Sequence, residues 1–72
     1  MKIFDARTTA FNIHNARMDA CMTMQNVADA CGISVAAVAK WESGRATPTI
    51  ANMVTICDIF HCDIGSIIST TG

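Results

Sequence analysis

Arg17, Lys40 and Arg45 are the three cations in the interior of a 72-residue chain, and Thr23, Gln25, Ser34, Ser43 and Asn52 are hydrogen-bonding residues spaced among them. Guanidinium, ammonium, hydroxyl and amide groups in that mixture are what holds phosphodiester oxygens. Four residues of one stretch, Val35, Ala36, Ala39 and Lys40, share a helical face just after Ser34. If that face enters a duplex groove, Lys40 donates a hydrogen bond, while Val35 and Ala36 offer methyl contact with thymine. Direct readout normally uses Arg, Lys, Asn, Gln or a carboxylate, each good bidentate pair being worth about 1–3 kcal/mol of discrimination. There is no nucleophile–base pair, no usefully spaced pair of carboxylates and no phosphate-cradling glycine loop, so an enzyme is not expected.

The four cysteines, Cys21, Cys31, Cys57 and Cys62, contain no Cys-x-x-Cys pair, and a reducing compartment would keep them as thiols that pack like small apolar residues. Cys57, His61 and Cys62 make the one cluster with metal-ligand chemistry. Cys57 and His61 lie one helical turn apart, but only three donors are present, and His61 and Cys62 are neighbours that point apart. Core cysteines and a helix-end histidine are the better reading, with no metal and no cofactor expected.

Hydrophobic residues make up 51% of the chain, and five Lys+Arg against six Asp+Glu leave a net charge of −1. One domain spanning 1–72 is all this length allows, with a core small enough to make a homodimer plausible. No apolar run approaches the roughly 18 residues that cross a bilayer, and residues 1–5 lack a signal peptide's apolar segment. A cytoplasmic protein without membrane contact is expected. Affinity for nucleic acid comes largely from cations that displace counterions, so any such binding by a chain of this acidic balance would rest on a local patch of Arg17, Lys40 and Arg45, with Asp58 and Asp63 on distal helices.

Punctuation divides the chain into five helices. Residues 1–7 read as an arm or a short strand. Thr8 or Thr9 caps a first helix with Phe11, Ile13, Ala16 and Ala20 at helical spacing, ending near Cys21. Thr23 caps a second, with Asn26 where a capping box prefers Glu or Gln, an inward stripe of Val27, Ala28 and Cys31, and Gly32 as its left-handed end. Ser34 opens a third through about Glu42, with Val38 and Trp41 inward and Gly44 closing it. Thr47 and Pro48 then begin a fourth, whose buried face is Ile50, Met53, Val54, Cys57 and Phe60. Asp63 caps a short fifth with Ile64, Ile67 and Ile68, and 69–72 should fray. The fold class is all-α, and residues of about 24–43, two short helices on a glycine turn, form a helix-turn-helix.

Ile13, Arg17, Thr23, Ala28, Gly32, Ser34, Trp41, Glu42, Gly44 and Pro48 all stand at the spacing of the Cro and lambda-repressor type of helix-turn-helix domain, the Xre family, which the chain resembles from about Ile13 to Ile68. The resemblance implies a five-helix lambda-repressor-like DNA-binding fold, helix three as the recognition helix in the major groove, and a symmetric dimer on double-stranded DNA. It implies an ion pair of Arg17 with Glu42, with the guanidinium edge presented to phosphate. Further phosphate contacts would come from the start of helix two (Thr23, Met24, Gln25) and from Ser43, Arg45 and Asn52, base contacts from Ser34, Val35, Ala36 and Lys40, and dimer contacts from Ile64, Ile67 and Ile68. Trp41 reads as a core anchor rather than a base-stacking group.

Two positions depart from the family. Met24 stands where a phosphate-binding glutamine is common, with Gln25 adjacent, and Cys21 replaces a frequent glycine, which could lengthen helix one or strain the turn. The expected function is a small repressor-like transcriptional regulator of phage or prophage type. The alternative is a module whose apolar surface of Val35, Ala36 and Ala39, flanked by Met24, binds a partner repressor as an antirepressor or modulator.

Overall fold

A computed structural model describes residues 2–71, which form β1 (Ile3–Phe4), α1 (Ala6–Asp19), α2 (Met24–Cys31), α3 (Val35–Ser43), α4 (Ile50–Phe60), α5 (Ile64–Ile67) and β2 (Thr70–Thr71). The ends of the expected arm and tail, Met1 and Gly72, lie outside the described residues. The five-helix, all-α expectation holds, with one small addition. β1 and β2 pair antiparallel, Ile3 opposite Thr71 and Phe4 opposite Thr70, so the described part of the tail is tied down where fraying was expected. Asp5 N–H donates to the Ser69 carbonyl at 2.8 Å, and Ser69 N–H donates to the Thr9 hydroxyl oxygen at 2.9 Å. Thr9 is therefore a buried acceptor and not a cap.

The cap of α1 is Asp5, whose carboxylate accepts from Thr8 N–H (3.0 Å) and from the Thr8 hydroxyl (2.8 Å). Those two bonds lower the Asp5 pKa, the backbone N–H bond first. At α2 the capping box does form: Thr23 Oγ1 accepts from Asn26 N–H (3.0 Å) and Asn26 Oδ1 from Thr23 N–H (2.9 Å). Ser34 caps α3 through Ala37 N–H (3.2 Å). α4 opens on Thr49 rather than Thr47, its hydroxyl accepting from Asn52 N–H at 3.2 Å. Pro48 therefore sits just outside the helix, buried, in the position from which an apolar residue packs toward the fourth helical residue, here buried Met53.

The core is Ile13, Val27, Ala28, Val38, Trp41, Met53, Ile56, Cys57, Phe60 and Ile67, with α1 packed on α3 and α5, α2 on α3 and α4, and α4 on α5. α4 is rotated from the face expected of it. Its buried stripe is Met53, Ile56, Cys57 and Phe60, at the i, i+3, i+4, i+7 spacing, which leaves Ile50 71% and Val54 59% exposed. On α1 the stripe of Ala10, Ile13 and Arg17 likewise turns Phe11 out to solvent. Ile67 is 1% exposed and closes the monomer's own core, and Ile68 is half-buried, so of the three candidate dimer isoleucines Ile64 alone stands exposed.

Cys21 does not lengthen α1, which ends at Asp19; it takes a left-handed φ of 56° so that Met22 N–H can reach the Arg17 carbonyl at 3.1 Å. A side chain there costs on the order of 1–2 kcal/mol, partly offset in glycine by its extra unfolded-state freedom. Cys21→Gly is therefore expected to raise stability by about 0.5–1 kcal/mol in urea unfolding, the margin by which the relieved strain exceeds that freedom.

Candidate nucleic-acid interface

The α2–α3 corner turns on Gly32 at φ 67°, with Gly32 N–H donating to Asp29 (3.3 Å) and Ile33 N–H to the Ala28 carbonyl (3.0 Å). A Cβ there would meet nothing within 4 Å, so backbone conformation, not space, asks for glycine. Val27 and Ala28 of α2 and Val38 and Trp41 of α3 bury the inner faces of the two helices. That fixes the outer face of α3: Ser34, Val35, Ala36 and Lys40 are exposed, and Ala39 is half-exposed at the edge.

A polar brace ties this face to α1. Arg17 Nε donates to Glu42 Oε2 at 2.7 Å and Nη2 to Oε1 at 3.0 Å, a two-pronged pair in which the Glu42 side chain is only 4% exposed. Arg17 Nη1 donates to the Met22 carbonyl at 2.9 Å, which fastens the turn before α2 to the same guanidinium. His14 Nδ1 lies 2.6 Å from Glu42 Oε1, so a proton on that nitrogen gives the carboxylate a third donor. Burial pushes the Glu42 carboxyl up, and the Arg17 and His14 hydrogen bonds more than reverse it, leaving its pKa below the ordinary 4.5. Glu42 in turn raises the Arg17 pKa.

The ion pair expected of Arg17 and Glu42 is thus present, but it reassigns Arg17. The residue is 8% exposed and each of its three nitrogens already bonds to protein, so it orients helices and has little edge left for phosphate. Ser43 is also spoken for: its hydroxyl donates to the Lys40 carbonyl at 3.1 Å. Met24 is half-buried against the core, and the Gln25 amide donates to Asp29 Oδ1 at 2.7 Å, so neither side chain stands in for a free glutamine. What the start of α2 does offer is backbone: the capping box serves Asn26 and Thr23, leaving the first-turn N–H groups of Met24 and Gln25 without helical partners. Lys40 and Arg45 are exposed on either side of the Gly44 turn at φ 80°, and Asn52 is half-buried in the first turn of α4.

His14, Asn12 and the Met22 carbonyl are the positioning groups that the sequence reading missed. His14 and Arg17 stand three apart on α1 and so share a face, a signal available without a structure. Asn12, whose amide donates to the Ile67 carbonyl at 3.0 Å and so ties α1 to α5, carried no such signal. Among the described residues no three His, Cys, Asp or Glu side chains are grouped to hold a metal ion, and no helix is long and apolar enough to cross a membrane.

The same architecture is found in solved structures. The clp gene regulator ClgR from C. glutamicum superposes with a TM-score of 0.76 at 16% identity, covering 86% of this chain and 80% of that one. The restriction-modification controller protein C.AhdI from Aeromonas hydrophila gives 0.78 at 13% identity, covering 88% and 96%. At such identities the likeness is one of fold. No curated protein sequence matches the chain. A family model described as helix-turn-helix does match, over residues 13–67, which are the elements that build and brace the α2–α3 corner, and the chain belongs to that Xre/Cro-type family of DNA-binding regulators.

Proposed function

We propose that this regulator lays α3 in the major groove and reads DNA chiefly by apolar contact. The observation that carries the reading is the exposed start of α3, a helix braced near its other end: Val35 and Ala36 face solvent beside Ser34 and Lys40, while Arg17 holds Glu42. Backbone N–H groups of Met24 and Gln25, the Thr23 hydroxyl, Lys40, Arg45 and Asn52 hold phosphates, and Val35 and Ala36 pack on thymine methyls. The protein works in the cytoplasm as a repressor-like homodimer, pairing through exposed Ile64, with the two α3 helices about 34 Å apart on successive major grooves. Sedimentation equilibrium is expected to show dimer that Ile64→Asp converts to monomer; wild-type protein that stays monomeric at high concentration contradicts the pairing.

Selection from random duplexes at low salt tests the reading. It is expected to enrich a two-fold site with thymines at matching positions in each half, and replacing one such thymine by uracil removes a methyl worth about 0.8 kcal/mol, roughly fourfold in affinity. Failure to enrich any sequence at tens of micromolar folded protein counts against the proposal.

A further inference from the structure

We infer that Cys57 and Cys62 form a reversible intramolecular disulfide by exchange with a low-molecular-weight disulfide, an oxidation site at the α4–α5 corner that is separate from the DNA-facing surface. α4 ends in a Schellman turn: His61 N–H donates to the Asp58 carbonyl (3.2 Å), Cys62 N–H to the Cys57 carbonyl (3.0 Å), and His61 itself takes a left-handed φ of 55°. In this turn the residues joined by the outer hydrogen bond also bring their side chains together, normally as an apolar contact. Here both of those residues are cysteines. With Cys62 N 3.0 Å from the Cys57 carbonyl oxygen, covalent geometry holds the two α-carbons to no more than about 7 Å apart, close to the roughly 4.4–6.8 Å that a disulfide spans.

The two thiols border one groove, with Val54, Asp58, His61 and Asp63 as its other walls. Cys62 is half-exposed in it and Cys57 is 9% exposed. The Cys57 thiol is pushed up to about 11, first by burial and then by the Cys62 thiol beside it and by Asp63. These differences order the exchange. The Cys62 thiolate attacks one sulfur of the small disulfide RSSR, forming Cys62–S–SR and expelling RS⁻. Cys57 then attacks the Cys62 sulfur, closing the protein disulfide and expelling the second RS⁻. The two cysteine protons end on two RSH molecules, and two electrons have passed from the protein to the small disulfide. The second step is the slow one, because little Cys57 is thiolate near neutral pH.

The bond has a mechanical consequence. α5 is a four-residue helix whose Asp63 makes no side-chain cap bond, and Ile67, which closes the core, lies on it. Joining residue 57 to residue 62 pins the start of α5 to α4, so oxidation slows amide exchange at Ile68, whose N–H donates to the Ile64 carbonyl at 2.9 Å.

The test reads covalent chemistry and does not depend on DNA binding. The full chain is held in excess oxidised glutathione, quenched by alkylation and cut with trypsin. Residues 46–72 contain no Lys or Arg and only Cys57 and Cys62, while Cys21 and Cys31 fall in residues 18–40. The expected result is a 46–72 peptide lighter by two hydrogen masses, closed to alkylation until dithiothreitol is added, with Cys57→Ser arrested as a glutathione adduct on Cys62. A 46–72 peptide that stays fully alkylatable, or carries glutathione on both cysteines without closing, overturns the inference. So does amide exchange at Ile68 that is unchanged in the oxidised chain.

Discussion

Glu42→Ala is expected to remove a large share of the stability of this domain. Taking away one partner of a buried pair strands the other's charge, which costs about 3–5 kcal/mol. A chain of this length holds only about 4–11 kcal/mol in total. Arg17 would keep its Met22 carbonyl contact but lose both carboxylate bonds while remaining buried. Urea unfolding followed by the fluorescence of Trp41, which is 5% exposed and the chain's only tryptophan, measures the loss. Replacing both residues by methionine is expected to recover much of it, since well-packed apolar groups often replace a buried ion pair without penalty. An equally large loss in the double variant would mean that the geometry of the pair, and not its charge, stabilises the α1–α3 contact.

The same pair gives the stability a direction in pH. Because the Glu42 pKa in the folded chain lies below the ordinary 4.5, its contribution is complete above that value and disappears as pH falls through the folded pKa. Acid unfolding of Glu42→Gln should therefore be less steep than that of the parent below pH 4.5.

The second large effect is the salt dependence of DNA binding. With Arg17 and Glu42 neutralising each other, Lys40 and Arg45 are the exposed cations of the α3 side. In the proposed dimer, two per protomer make four, and a slope of log K against log salt of about −3.6, so affinity is expected to fall about 150-fold between 50 and 200 mM salt. Lys40→Ala and Arg45→Ala should each reduce the slope of the dimer by about 2 and weaken all sequences alike. Val35→Ala, in contrast, should leave the slope unchanged and relax sequence preference. Fluorescence anisotropy over a salt series separates the two kinds of effect.

Much of this architecture was legible in the sequence. The caps at Thr23 and Ser34 and the turn glycines at 32 and 44 locate α2 and α3, and the family resemblance implies the Arg17–Glu42 pair that braces them. What was misjudged has physical causes. Asp, Ser and Thr are comparable caps, so Asp5 and Thr49 were indistinguishable from the Thr8, Thr9 and Thr47 beside them until the hydrogen bonds were seen. On α4, apolar residues at 50, 53, 54, 56, 57 and 60 surround the helix too fully for periodicity to fix its rotation. The terminal ladder joins residues at opposite ends of the chain, which no local pattern reveals. The family resemblance pairs Arg17 with Glu42 and also offers its edge to phosphate, but only burial and the occupation of its nitrogens show how little of that edge is left.

The central claim is that the exposed start of α3 meets DNA. Chemical-shift mapping of the labelled protein against its selected duplex tests it most directly. The largest changes are expected at residues 34–40, at the N–H groups of Met24 and Gln25 and at Arg45, with α5 undisturbed by the duplex itself. Shifts confined to the α4–α5 face, with Val35 and Ala36 unmoved, would contradict it.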